Sequence, residues 1–126
     1  MSANESTLIA KADRALKSAR LLRDRGDTDG ACDRAYYAMF DAARAALLNV
    51  SADLPKTHSG TATLFGQHLV KPGLLPDHLG RDLNRVEELR NIADYMLEVV
   101  GVAHTDDAIA KADVFVESVR RYLRES

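Results

Sequence analysis

Ala35-Tyr36-Tyr37-Ala38-Met39-Phe40, running on to Leu48, is the stretch on which the fold turns. Tyr36, Phe40, Ala43 and Leu47 fall on one helical stripe, and Ala35, Met39, Ala42 and Ala46 on another. A helix with two apolar stripes must be covered on two sides, and alanines let neighbouring backbones approach closely. The segment therefore predicts a central helix, started by Asp27 or Thr28, whose short polar side chains can accept from the free amides of a first turn.

The same spacing recurs on either side. Upstream, Leu8, Ala12, Ala15, Ala19 and Leu22, widened by Ile9 and Leu16, predict a first helix that stops at Gly26. Downstream, Pro55 breaks the chain, and Thr57 or Ser59 can cap a shorter helix holding Ala62, Leu64, Phe65 and Leu69, which stops before Pro72 and Gly73. From Pro76, the residues Leu79, Leu83, Val86, Leu89, Ala93, Met96, Leu97 and Val100 form a wide apolar arc that predicts a helix reaching Gly101. Thr105 can cap a last helix whose stripe reads Ile109, Ala112, Val116, Val119 and Leu123, with Phe115 and Tyr122 alongside. Asp106 and Asp107 at its start and Arg120, Arg121 and Arg124 at its end both match the helix dipole. No alternating β-branched run competes. The reading is all-α: an up-and-down bundle of four long helices plus a short one, in a single domain over residues 1–126.

A chain of 126 residues has room for one core. Its net charge of −2 gives no global attraction for nucleic acid, so any such contact must come from a local patch. One cysteine, Cys32, cannot form an internal disulfide and is expected to be a small buried side chain in a reducing compartment. The start lacks a basic patch followed by an apolar run, and no apolar stretch reaches the ~20 residues needed to cross a bilayer, so a cytoplasmic protein off the membrane is expected. The first helix carries Lys11, Arg14, Lys17, Arg20, Arg23 and Arg25 against only Asp13 and Asp24. Such a run is most often a solvated face, and otherwise a surface that steers RNA or an acidic partner.

Chemistry is concentrated in Arg90-Asn91-Ile92-Ala93-Asp94-Tyr95 and in Lys56-Thr57-His58-Ser59-Gly60. On a helical wheel Arg90 lies about 20° from Leu83 and from Leu97, inside the apolar arc. A guanidinium there must find partners, since an unpaired buried charge costs several kcal/mol. Asp94 at i+4 and Glu87 at i−3 offer a local ion pair; alternatively Arg90 faces a cleft and offers its planar donors to a phosphate. In the turn, the plainer expectation is that Thr57 and Ser59 cap the helix and His58 faces solvent; alternatively His58 reaches the cleft and Lys56 and Ser59 hold a phosphate. Tyr36 belongs to the core stripe; Tyr37 lies with Arg34, Asp41 and Arg44 on a polar strip, from which it could stack on a base. His68, His78 and His104 are widely separated, so neither a metal site nor a cofactor is expected.

Taken in order, the Ala-Tyr-Tyr-Ala-Met-Phe helix, the Lys-Thr-His-Ser-Gly turn leading into Leu64-Phe65-Gly66-Gln67-His68-Leu69-Val70-Lys71, and Arg-Asn-Ile-Ala-Asp-Tyr resemble the HEPN domain superfamily. Within it they look like the small stand-alone UPF0332-type proteins, over most of the chain up to about Phe115. The resemblance implies a helical bundle that forms homodimers, works with a minimal nucleotidyltransferase in toxin–antitoxin pairs, and has its cleft at the dimer interface. In RNase members an Arg-polar-x-x-x-His motif from each subunit cuts RNA without a metal. Arg90 and Asn91 match its first two positions; Tyr95, preceded by Asp94, stands where the histidine would be. By the resemblance, Arg90, Asn91, Asp94 and Tyr95 line the cleft, and Tyr95 is the candidate for nucleotide modification by the partner. Two further expectations stand beside this one: a metal-independent endoribonuclease in which Tyr95 or His58 replaces the missing histidine, and a non-catalytic nucleotide-binding helical module.

Overall fold

Five α-helices account for the described chain, which comprises residues 1–50, 53–54 and 57–126 of a computed structural model. They are α1 (Ala3–Asp24), α2 (Thr28–Asn49), α3 (His58–Phe65), α4 (Asp77–Tyr95) and α5 (Val102–Glu125). The expected all-α bundle of four long helices and a short one is what forms. Pro55 and Lys56 lie outside the described residues.

The α1–α2 reversal follows directly from its residues. Gly26 takes φ +86°, and the Asp27 N–H donates to the Leu22 carbonyl at 2.9 Å, so the chain turns back within three residues. Asp27 then caps α2 by accepting the Gly30 N–H at 2.8 Å. Helix α2 touches every other helix, and Ala31, Ala35, Ala38, Ala42, Ala43, Ala45 and Ala46 are all fully buried along it. Both stripes are thus covered, as two apolar faces require. Around α2 the core is completed by Phe65, Leu69, Leu79, Leu83, Val86, Phe115, Val116, Val119 and Leu123. Cys32 is buried within it, its thiol 3.6 Å from the Thr105 hydroxyl, and burial pushes that thiol above its usual range.

Three boundaries differ from expectation. After α3 the chain continues as a single π-helical turn, Gly66–Val70, closed by the Lys71 N–H donating to the Gly66 carbonyl at 2.8 Å. Helix α4 ends at Tyr95 rather than reaching Gly101. The Asp29 carboxylate at the start of α2 accepts the Val100 N–H at 2.9 Å and draws Val100 into the core, so the backbone turns extended at Met96. Met96, Leu97 and Val99, which a continued helix would partly bury, are left exposed. Helix α5 begins at Val102, not after Thr105, because the Thr105 hydroxyl donates back to the Gly101 carbonyl at 2.9 Å from inside the first turn. No helix among the described residues is long and apolar enough to cross a membrane.

Candidate functional site

The last turns of α4 carry Arg90 against α2. Its side chain is only 14% exposed, and its Nε lies 3.4 Å from Asp94 and 3.7 Å from Asp33. Neither approach has hydrogen-bond geometry: the buried Arg90 Nε and Asp33 Oδ1 are both without a hydrogen-bond partner. The guanidinium carbon sits 5.4 Å from the Tyr36 ring centre and 5.8 Å from that of Tyr37, within cation–π range of both. Burial opposes its charge, but Tyr37, Asp94 and Asp33 outweigh that, and its pKa is raised. Arg90 is therefore a fixed cation in a largely enclosed place, with loose counter-ions that an incoming anion could displace.

Asp33 is the residue that sequence reasoning missed. Burial, followed by the neighbouring Asp94 carboxyl, pushes it up to about 6 against the pull of Arg90. An acid standing in an alanine-rich helix between buried Cys32 and Tyr36 was the available signal, but its partners come from a helix far along the chain. Glu87, the other expected partner of Arg90, makes no ion pair with it among the described residues.

On the far side of the two tyrosines stands His58. Thr57 caps α3 by accepting the Gly60 N–H at 3.0 Å, which makes His58 the first helical residue and aims its ring at α2. His58 Nδ1 lies 2.8 Å from the Tyr36 hydroxyl, and the two rings stack with centres 5.1 Å apart. Phe40 is at 4.7 Å and Tyr37 at 6.0 Å. Burial, then the charge of Arg90, lower the pKa of His58, with Glu87 opposing, so the imidazole is neutral at pH 7. Burial also keeps the Tyr36 phenol protonated well above its usual range. In the tautomer with its proton on Nδ1, His58 donates to the Tyr36 hydroxyl oxygen and keeps Nε2 free to accept a proton.

The structure thus brings Arg90, Asp94, Tyr37 and His58 together around Tyr36 and Asp33. It does not gather the other candidates there. Asn91 and Ser59 are exposed and Tyr95 is 75% exposed, and none makes a side-chain hydrogen bond or ion pair among the described residues. Lys56 lies outside the described residues. Tyr37 and His58 also form a wall of a cavity of about 340 Å³ between α1 and α2. Among the described residues no three side chains of metal-binding type converge. Chemically, the cluster offers a fixed cation for a phosphate, a neutral imidazole able to accept a proton, and two aromatic rings.

Comparison with known proteins agrees with this architecture. The HEPN domain model matches residues 6–124. A UPF0332 protein of Gloeobacter violaceus is 37% identical over 124 residues, covering 98% of this chain and 94% of the relative. A UPF0332 protein of Archaeoglobus fulgidus is 31% identical, covering 94% of each chain. A Methanocaldococcus jannaschii protein named "Putative toxin MJ0605" is 32% identical over 118 residues, covering 94% of this chain and 87% of its own. With the helical bundle, the alanine-lined central helix and this coverage in place, the chain belongs to the HEPN domain family.

Proposed function

We propose that this protein is the toxin-like half of a cytoplasmic toxin–antitoxin pair, acting as a homodimer with a minimal nucleotidyltransferase as its partner, and that Arg90 is the centre of its functional cleft. The observation that carries this reading is the guanidinium itself: nearly enclosed, held charged, flanked by two aromatic rings, and with its Nε free of any hydrogen bond. The toxin name of a relative that spans 94% of this chain supports it. Met96, Leu97, Val99 and Val102 form an exposed apolar edge where α4 gives way to α5, a surface that favours a second copy over water. The Tyr95 phenol, open to solvent, is accessible to a partner's active site. In nucleotide transfer its oxygen would attack the α-phosphorus of a nucleoside triphosphate, with loss of its proton and departure of pyrophosphate.

Co-expression with a minimal nucleotidyltransferase from the same organism, followed by intact-mass measurement, tests the pairing. A stable complex and one added nucleotide, lost in Tyr95→Phe, are expected. No complex and no added mass would refute it.

A second reading is favoured by the position of His58. As a metal-independent endoribonuclease, the protein would use His58 Nε2 to accept the 2′-hydroxyl proton while the 2′-oxygen attacks phosphorus; the 5′-oxygen leaves with a proton from water, giving a 2′,3′-cyclic phosphate and a 5′-hydroxyl. Arg90 would neutralise the phosphorane charge. RNA cleavage in EDTA that is abolished by Arg90→Ala and by His58→Ala is the expected result; cleavage indifferent to both removes the reading.

A further inference from the structure

Six basic side chains on α1 and the loop after it meet different fates. Arg20 and Arg23 are committed to α5, pairing with Asp113 and Asp106. Lys11 and Arg14 pair with no carboxylate among the described residues; they line instead the cavity of about 340 Å³, opposite Arg34 and Arg44 of α2. Four cations therefore surround a single acid, Asp41, in a chain whose total charge is −2. Arg44 approaches Asp41 no closer than 3.8 Å, and its buried Nε has no hydrogen-bond partner. The two arginines of α2 are held in place over aromatic faces, Arg34 at 5.8 Å from the Tyr37 ring centre and Arg44 at 5.5 Å from that of Phe40.

So large an excess of positive charge, concentrated in a concave and partly buried place, costs self-repulsion unless an anion enters. Guanidinium groups fixed at the wall present planar donors that suit phosphate oxygens. The half-exposed ring of Tyr37 at the same wall suits a flat ring. A volume of this size lies at the lower end of small-molecule sites, which fits one nucleotide unit. We propose that the α1–α2 cavity is a phosphate-ester site for a single nucleotide unit, held by Lys11, Arg14, Arg34 and Arg44, with its ring against Tyr37. The unit comes either from a free nucleotide or from the phosphorylated end of single-stranded RNA. Because Tyr37 and His58 belong both to this cavity and to the surroundings of Arg90, the next group of a longer ligand is led toward the Arg90 cluster. The site does not rest on the toxin reading, nor on a partner.

Calorimetric titration of the isolated protein in EDTA at low salt tests it, with 5′-AMP, adenosine, inorganic phosphate and a short 5′-phosphorylated RNA as probes. AMP is expected to bind at least tenfold more tightly than adenosine. The Lys11→Gln/Arg14→Gln variant, altered only at exposed positions of α1, should lose at least tenfold in affinity for AMP and depend less steeply on salt. Arg20→Gln, which removes a cation committed to α5, should bind as the parent does. Phosphorylated RNA binding more tightly than AMP identifies the RNA end as the source, and equal binding identifies the free nucleotide. Adenosine binding as well as AMP, a double variant that binds like the parent, or no binding by any probe overturns the proposal. Because no cleavage and no nucleotide transfer is measured, failure here leaves the reading of Arg90 to its own tests.

Discussion

Replacing Asp33 by asparagine should stabilise the protein above about pH 6, although it removes a carboxylate from beside an arginine. In the fold Asp33 titrates at about 6 instead of its ordinary 3.8, a figure that already includes the opposing pull of Arg90. That rise corresponds to roughly 3 kcal/mol favouring the protonated acid. The side chain is 30% exposed, and screening by solvent reduces the realised effect to about 1 kcal/mol. The sign follows from the raised pKa: the contribution is fully present below about 3.8 and is lost as pH rises through about 6, because the folded chain binds the extra proton. The substituted amide would carry no charge at any pH, and Arg90 would keep Asp94 at 3.4 Å. Urea denaturation followed by circular dichroism, at about pH 8 and about pH 4, measures the difference. The variant should be more stable by about 1 kcal/mol at the higher pH and equal to the parent at the lower. Destabilisation at about pH 8 would instead make Asp33 a required counter-ion of Arg90 and not a strained neighbour of Asp94.

Other expectations test separate parts of the structure. Arg90→Gln should raise the pKa of His58 toward its ordinary value, because the charge of Arg90 helps depress it; titration of the imidazole C–H resonances by NMR would show this, and an unmoved curve would separate the two groups. Ala42→Leu, at a fully buried position of α2, should cost about 1–3 kcal/mol by overpacking, read as a lower denaturation midpoint. Thr57→Ala should cost about 1 kcal/mol and speed amide exchange at Gly60 and Thr61, the first turn that its hydroxyl caps; unchanged exchange would argue against that cap.

The fold was legible wherever the decisive information was local. Two stripes on α2 require two covered faces, and both are covered; Gly26 and Asp27 carry the stop and the start that their side chains permit. What escaped was non-local. Met96, Leu97 and Val100 satisfy the helical period of α4, but the helix is ended by an Asp29 carboxylate 71 residues away that captures the Val100 N–H. The same holds at the candidate site, where Asp33 reaches Arg90 across the bundle and His58 is aimed at Tyr36 by the Thr57 cap. Tyr95 was instructive in the other direction. Five residues after Arg90 on a helix it must point about 140° away, so its exposure beside a buried arginine follows from wheel arithmetic. The basic face of α1 could be counted but not apportioned, because only the packed bundle separates the arginines that meet α5 from the cations that face α2.

On the reading proposed, Arg90 is the working residue of a toxin-like protein. Inducing the chain alone in a bacterial host and following growth, beside an Arg90→Ala variant shown to be folded and equally expressed, decides this. Growth arrest by the parent and none by the variant is the predicted result. Arrest by both, or by neither, would rule out that role for Arg90.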